Sequence, residues 1–278
     1  MYIWSMKSLR NHTILYDAEC PMCMMYTKAF TTVGMLDKTG AQPYQQMPTE
    51  FCPFVDQRRA VNEIALVNND TGEVSYGIHS LFKVLGNSVP LFAPLFAWKP
   101  FIWLMTKVYA FVSYNRKVII PEGKQAGGCA LQPDFKLHYR IAYLIFTWFF
   151  TGLILTKYAV LLKDAMPVGG PHREYLICGG QVVFQGLIIS LLNKEKRWEY
   201  LGNMMTISFA GALVLLPVVL LSGIFTFPVL FYVLYFLGVA GLMFLEHIRR
   251  TGLLGLGYIL TMSWVLYRIA ILLWIIYK

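Results

Sequence analysis

Apolar positions are distributed unevenly along the 278-residue chain. Over residues 1–80 the apolar runs are short and broken by Asn, Asp, Gly and charged residues, whereas beyond residue 140 several uncharged runs approach the roughly 20 residues that a helix needs to cross a bilayer. In the first part, the β-branched and aromatic run 13–16 predicts a strand ending at Asp17. Residues 21–33 predict a helix with Pro21 in its first turn and Gly34 beyond its end. "PYQQM" (43–47) predicts a second short strand, and residues 50–59 a short helix with Pro53 in its first turn. "NEIALVN" and "EVSYG" flank "NDTG", a hairpin signal, and "IHSLFKVLG" predicts an amphipathic helix ending in glycine. The predicted order is β-α-β-α-β-β-α.

Residues 89–114 are apolar and aromatic but interrupted by Pro90, Pro94, Pro100, Lys99 and Lys107. They predict a pair of short helices that close the first domain and rest on the bilayer, with Trp98, Trp103 and Tyr109 suited to the interface. A single span here would put the first domain on the opposite face of the membrane. "PEGKQAGG" (121–128) reads as a linker. Beyond it, five spans are predicted over 141–162, 175–192, 204–224, 228–245 and 253–277. The expected organisation is an α/β domain over 1–120, a linker over 121–139 and an all-α transmembrane helical bundle over 140–278.

Composition sharpens this reading. The chain is 57% hydrophobic, against roughly 45–50% apolar in ordinary soluble domains. Its net charge of +9 does not form a basic stripe with interleaved aromatics, so nucleic acid is not the expected partner. The cations flank the apolar spans. Lys136, Arg140, Lys194, Lys196, Arg197, Arg249 and Arg250 fall on the side of the first domain, and Lys157, Lys163, Arg173 and Lys278 on the other. Positive-inside bias makes the first side cytoplasmic. The opening "MYIWSMKSLRNHT" has neither the apolar core nor the cleavage site of a secretory leader. A multi-pass cytoplasmic-membrane protein with a cytoplasmic amino-terminal domain is expected.

Five cysteines, Cys20, Cys23, Cys52, Cys129 and Cys178, contain one close pair, which does not suit a secreted disulfide framework. In "LYDAECPMC" the two thiols fall at a strand-to-helix junction. Unpaired N–H groups and the helix dipole favour a thiolate there, which designates Cys20 as the attacking thiol. Cys23 lies one turn on, placed to resolve a mixed disulfide. Asp17 either makes a local turn or takes the proton from Cys23 during resolution; its own charge opposes thiolate formation. Zinc would need a second close pair of ligands, and Cys52, Cys129, His79 and His138 are scattered singles.

"YDAECPMC", "YGIHSLFKVLG" and "VYAFVSYNRKVI" together resemble the DCC family of thiol-disulfide oxidoreductases, named for its Asp, Cys and Cys. The resemblance covers residues 12–120. Asp17, Cys20 and Cys23 match the naming motif, the Gly77 helix a later glycine-led helix, and Tyr114, Asn115 and Arg116 the closing segment. It implies a thioredoxin-like fold and disulfide exchange through a redox-active Cys20–Cys23 pair, with a protein thiol or disulfide as substrate. One departure stands out: thioredoxin-like enzymes carry a cis-proline before the third core strand, and this chain reads "RAVNEI" there.

The membrane part lies outside the resemblance. Cys178 is the one cysteine in a predicted span, so a thiol relay across the bilayer is not expected. Gln181 and Gln185 share one helix face, and Arg268 lies within the fifth predicted span. They read either as packing and snorkelling groups or as a polar cluster for a quinone or a lipid headgroup. His247, with Arg249 and Arg250, reads as the cytoplasmic end of a helix, and "GLLGLGY" (252–258) as the start of the last span. The rival to an exchange enzyme is a non-enzymatic membrane protein whose first domain binds a partner or a metal.

Overall fold

The computed structural model describes residues 7–47, 53–121 and 134–277. The chain divides into two compact units, 1–139 and 140–278. Cys52, Cys129, Lys278 and most of the expected linker lie outside the described residues.

The first unit is a mixed four-stranded sheet with helices, in the predicted order: β1 (His12–Tyr16), α1 (Pro21–Thr32), β2 (Ala41–Pro43), α2 (Gln57–Asn62), β3 (Ala65–Asn68), β4 (Val74–Tyr76) and α3 (Ile78–Ser88). The strands lie in the order β2-β1-β3-β4, with β1 and β2 parallel and the other two pairings antiparallel. Alternation along β1 sends successive side chains to opposite faces. Ile14 packs with Phe30, Leu36, Leu66 and Val84 on one side, and Leu15 with Val55, Ala60, Ala65 and Val67 on the other. A strand buried on both faces needs helices on both, which α1 and α3 on one side and α2 on the other supply.

Three predicted elements shift. The second strand starts earlier than "PYQQM" and shares only Pro43 with it: β2 ends at Pro43, and Tyr44–Gln46 form a 3-10 turn. The helix expected over 50–59 begins at Gln57, because Asp56 caps it by accepting the Arg59 N–H at 3.0 Å; Pro53 precedes it, and residues 48–52 lie outside the described set. The two short helices expected over 89–114 are one short helix, α4 (Ala93–Ala97), and one long one, α5 (Lys99–Ile119), preceded by a 3-10 turn at Pro90–Phe92. Pro90, Pro94 and Pro100 interrupt nothing, since each sits in the first turn of one of these segments. Phe96 and Phe101 stack on Phe82 of α3, at 4.3 and 5.7 Å between ring centroids. Trp98 and Trp103 are exposed as expected, but Tyr109 turns inward and accepts the Ile64 N–H at 3.0 Å.

The second unit is that of a multi-pass membrane protein. Among the described residues, five helices are long and apolar enough to cross a bilayer: α6 (Leu137–Leu161), α7 (Arg173–Leu192), α8 (Arg197–Leu221), α9 (Val229–Leu253) and α10 (Ile259–Tyr277). Half of the apolar stretch of α8 is buried within the protein, against 28% or less for the others, which makes α8 the central helix. The last span starts later than predicted. "GLLGLGY" closes α9 and forms the connection, because Gly255 and Gly257 take positive φ angles of 63° and 68° and break the helix. Nor does His247 mark a helix end: α9 continues to Leu253, and His247 and Arg250 face the bundle interior, 1% and 7% exposed.

Candidate functional site

At the end of β1 the chain turns through Asp17. Its main-chain carbonyl accepts the Cys20 N–H at 3.1 Å, and its Oδ1 accepts the Glu19 N–H at 3.1 Å and the Gln45 side-chain amide at 2.9 Å. That is the turn-forming role. The turn ends on Cys20 as the N-cap of α1: its sulfur accepts the Cys23 N–H at 3.4 Å, and Pro21 occupies the first turn. The sequence thus brings Asp17, Cys20 and Cys23 together as predicted, with both cysteines as free thiols.

The other oxygen of Asp17 has a partner the sequence reading did not assign. Arg116, from the last turns of α5, reaches back across the chain so that its Nη2 donates to Asp17 Oδ2 at 2.7 Å and to the Val61 carbonyl at 2.9 Å. Both side chains are buried, 6% and 4% exposed. A buried carboxylate beside two thiols would work against a thiolate; a buried guanidinium paired with it reverses that. Val61 and Ile64 belong to "RAVNEI", the stretch that leads into β3, and Arg116 and Tyr109 hold it by hydrogen bonds.

The two thiols behave as one coupled acid. Cys23 is lowered to about 7, first by the hydrogen bond from the Cys20 thiol and, against the cost of burial, by the Arg116 charge and a hydrogen bond from Tyr26. Cys20 is raised, first by donating that same hydrogen bond and then by burial, although Arg116 lowers it in part. The pair therefore gives up one proton readily and holds the second. The sequence reading placed the readily formed thiolate on Cys20; the first proton is given up by the pair as a whole, its charge shared between the two sulfurs. Moving one proton along the contact between the sulfurs transfers the charge to Cys20, where the Cys23 N–H already points. Both sulfurs are closed off from solvent: Cys20 is 2% and Cys23 4% exposed.

Tyr26 and Gln45 are site residues that sequence reasoning missed; Arg116 entered it only as part of the closing segment of the resemblance and Tyr109 only as an interface residue, neither with a place beside the thiols. The available signal was Arg116, a cation in the mainly apolar stretch that follows residue 89. Gly77 belongs to the same scaffold. It has φ +60°, its N–H donates to the Ile64 carbonyl at 2.9 Å, and a Cβ there would come within 2.8 Å of Glu63 Oε2 and 3.3 Å of the Tyr109 ring. Among the described residues, no three His, Cys, Asp or Glu side chains group as metal ligands.

In the second unit, the glutamines and Arg268 separate. Gln185 accepts from Tyr200 at 2.7 Å and donates to Ser263 at 3.1 Å. Tyr200 also meets His247 Nε2 at 3.2 Å, and His247 Nδ1 meets Thr261 at 2.9 Å. With the Tyr200 proton committed to Gln185, Nε2 of His247 donates and Nδ1 accepts. Gln181 donates to the Trp264 carbonyl at 3.4 Å. Arg268 lies instead against the Cys178 thiol and the Trp264 ring.

Comparison of the chain with protein-family models, with curated proteins and with solved structures gives no match.

Proposed function

We propose that the first unit is a thioredoxin-like domain of the DCC type, which exchanges disulfides with a protein partner at the cytoplasmic face of the membrane, and that the second unit anchors it there. The observation that carries this reading is the reduced Cys20–Cys23 pair at the start of α1, set beside the buried Asp17–Arg116 ion pair. The element order β-α-β-α-β-β-α supports the fold assignment.

In the direction that reduces the substrate, the Cys20 thiolate attacks one sulfur of a substrate disulfide. The substrate S–S bond breaks, and its second sulfur leaves as a thiolate that takes a proton. Cys23 then loses its proton and attacks Cys20, which breaks the mixed disulfide and releases the other substrate thiol. Two electrons and two protons pass to the substrate, and the pair becomes a disulfide. The reverse sequence oxidises a dithiol. Because the sulfurs are so little exposed, a partner must displace the side chains above them, and adducts are expected to form more slowly than at a surface thiol.

A Cys23→Ala variant of the full chain is expected to accumulate mixed disulfides on Cys20 that vanish when Cys20 is also replaced. Non-reducing blots followed by partner identification read this out. Adducts on Cys23 in a Cys20→Ala variant would reverse the assigned order. A second reading, in which the first unit binds a partner without catalysis and the thiols are inert, draws on the burial of both sulfurs. It is the outcome if neither single variant yields adducts and the chain neither reduces nor oxidises a model disulfide.

A further inference from the structure

Arg268 is the tenth of the nineteen residues of α10, about 14 Å of helix from either end. A cation at that depth is costly in a bilayer unless it is paired or faces a polar partner. Among the described residues it has no ion pair, and its Nε is buried without a hydrogen-bond partner. Its neighbours, the Cys178 thiol and the Trp264 ring at 5.6 Å, carry no formal negative charge.

The same side chain lines a half-open cavity of about 530 Å³ in the second unit. That size falls within the roughly 300–1,000 Å³ of small-molecule sites. Most of the wall is aliphatic or aromatic, with Leu155, Leu215, Phe236, Val239, Met243 and Ile271 among its residues. Three lining residues are charged: Arg173, Glu174 and Arg268. Arg173 and Glu174 neutralise one another at 2.7 Å. The wall is therefore left with one uncompensated positive charge in a mainly apolar, half-open cleft. A neutral quinone would satisfy the Nε donor but not the charge. An anionic head on an acyl chain satisfies both, and the chain matches the rest of the wall.

We propose that this cavity binds an acyl lipid with an anionic head, the head meeting Arg268 and the chain lying along the faces of α8, α9 and α10. A free long-chain carboxylate and an acidic phospholipid share that chemistry. The site lies wholly within the second unit and does not depend on thiol exchange in the first.

The test uses the full chain in phosphatidylcholine nanodiscs, with radiolabelled oleate and oleyl alcohol as probes. Oleate is expected to bind roughly tenfold or more tightly than the alcohol. Arg268→Leu should abolish this preference and Arg268→Lys should keep most of it, while Ala240→Phe, which fills the cavity, should weaken both probes. If phosphatidylglycerol in the disc displaces oleate, the occupant is the bilayer phospholipid; if it does not, the occupant is the free carboxylate. Equal binding of oleate and oleyl alcohol by the unsubstituted chain overturns the proposal whether or not the variants fold. So does a preference that survives in Arg268→Leu.

Discussion

Arg116 meets Asp17 from 99 residues away in sequence, and the two side chains act on the thiols with opposite sign. The Arg116 charge helps hold Cys23 near 7, whereas the Asp17 charge pushes it up. In the full chain, Arg116→Gln is therefore expected to raise the pH at which the pair gives up its first proton, and Asp17→Asn to lower it. Thiolate ultraviolet absorbance measures both, and shifts in the same direction would contradict this electrostatic account. The linkage sign follows. Cys23 lies below its ordinary value of 9.0 when folded, so its contribution to the stability of the reduced form is present above 9.0 and is lost as pH falls through about 7. Cys20 is raised, so its contribution is present below the ordinary thiol value and is lost above it. Folded stability of the reduced chain should thus peak near the ordinary thiol value and fall on both sides. Asp17→Asn also separates the two roles the sequence allows Asp17. If the carboxylate only forms the turn and pairs with Arg116, resolution of a trapped adduct is not slowed in Asp17→Asn, whereas a carboxylate that takes the Cys23 proton leaves the variant slower than the unsubstituted chain.

At the scale of elements, Gly77 joins β4 to α3 in a backbone conformation with φ +60°, and a Cβ there would crowd Glu63 and Tyr109. Tyr109 in turn holds Ile64 at the start of β3. Gly77→Ala is expected to cost about 1–3 kcal/mol and to loosen the thiol site, measured as denaturant-dependent alkylation of Cys20 and Cys23 in the solubilised full chain. Unchanged alkylation would mean that the strained junction does not support the site. The contrast between Gly77 and Arg116 shows what the sequence could disclose. Strands and helices of the first unit follow from period-2 and period-3.6 patterns, and the Asp17–Cys20–Cys23 turn is local, so both were legible. Arg116, Tyr109 and Gln45 reach the site through tertiary contacts from other elements, and no local pattern marks such a partner. The helix ends that moved did so for similar reasons. Asp56 displaced the start of α2 by capping it, and Gly255 and Gly257 ended α9 where hydropathy alone continued. His247 and Arg250 look like surface punctuation in sequence, but the central helix α8 supplies Tyr200 and Asn203 as buried partners for them.

For the molecule as a whole, five spans place the start of α6 and the end of α10 on opposite faces of the bilayer, so one loop position and one position in the first unit fix the orientation. On the side where α6 begins, Lys194 and Lys196 lie between α7 and α8, Arg197 opens α8, and Arg249 and Arg250 lie in the last turns of α9. The opposite side has Lys157 near the end of α6, Lys163 between α6 and α7, and Arg173 at the start of α7. Under the positive-inside rule this bias predicts a cytoplasmic first unit, which labelling tests. The native thiols are poor reporters of orientation, because an impermeant reagent would miss buried Cys20 and Cys23 on either side of the membrane. Met25, 64% exposed on α1, and Asp164, exposed between α6 and α7, serve better. With Met25→Cys and Asp164→Cys introduced separately, the expected outcome in intact cells is labelling at position 164 alone, with position 25 labelled only after permeabilisation. The reverse pattern would put the thiol pair on the outer face, where the compartment favours disulfides and the exchange would run as oxidation of a partner rather than its reduction.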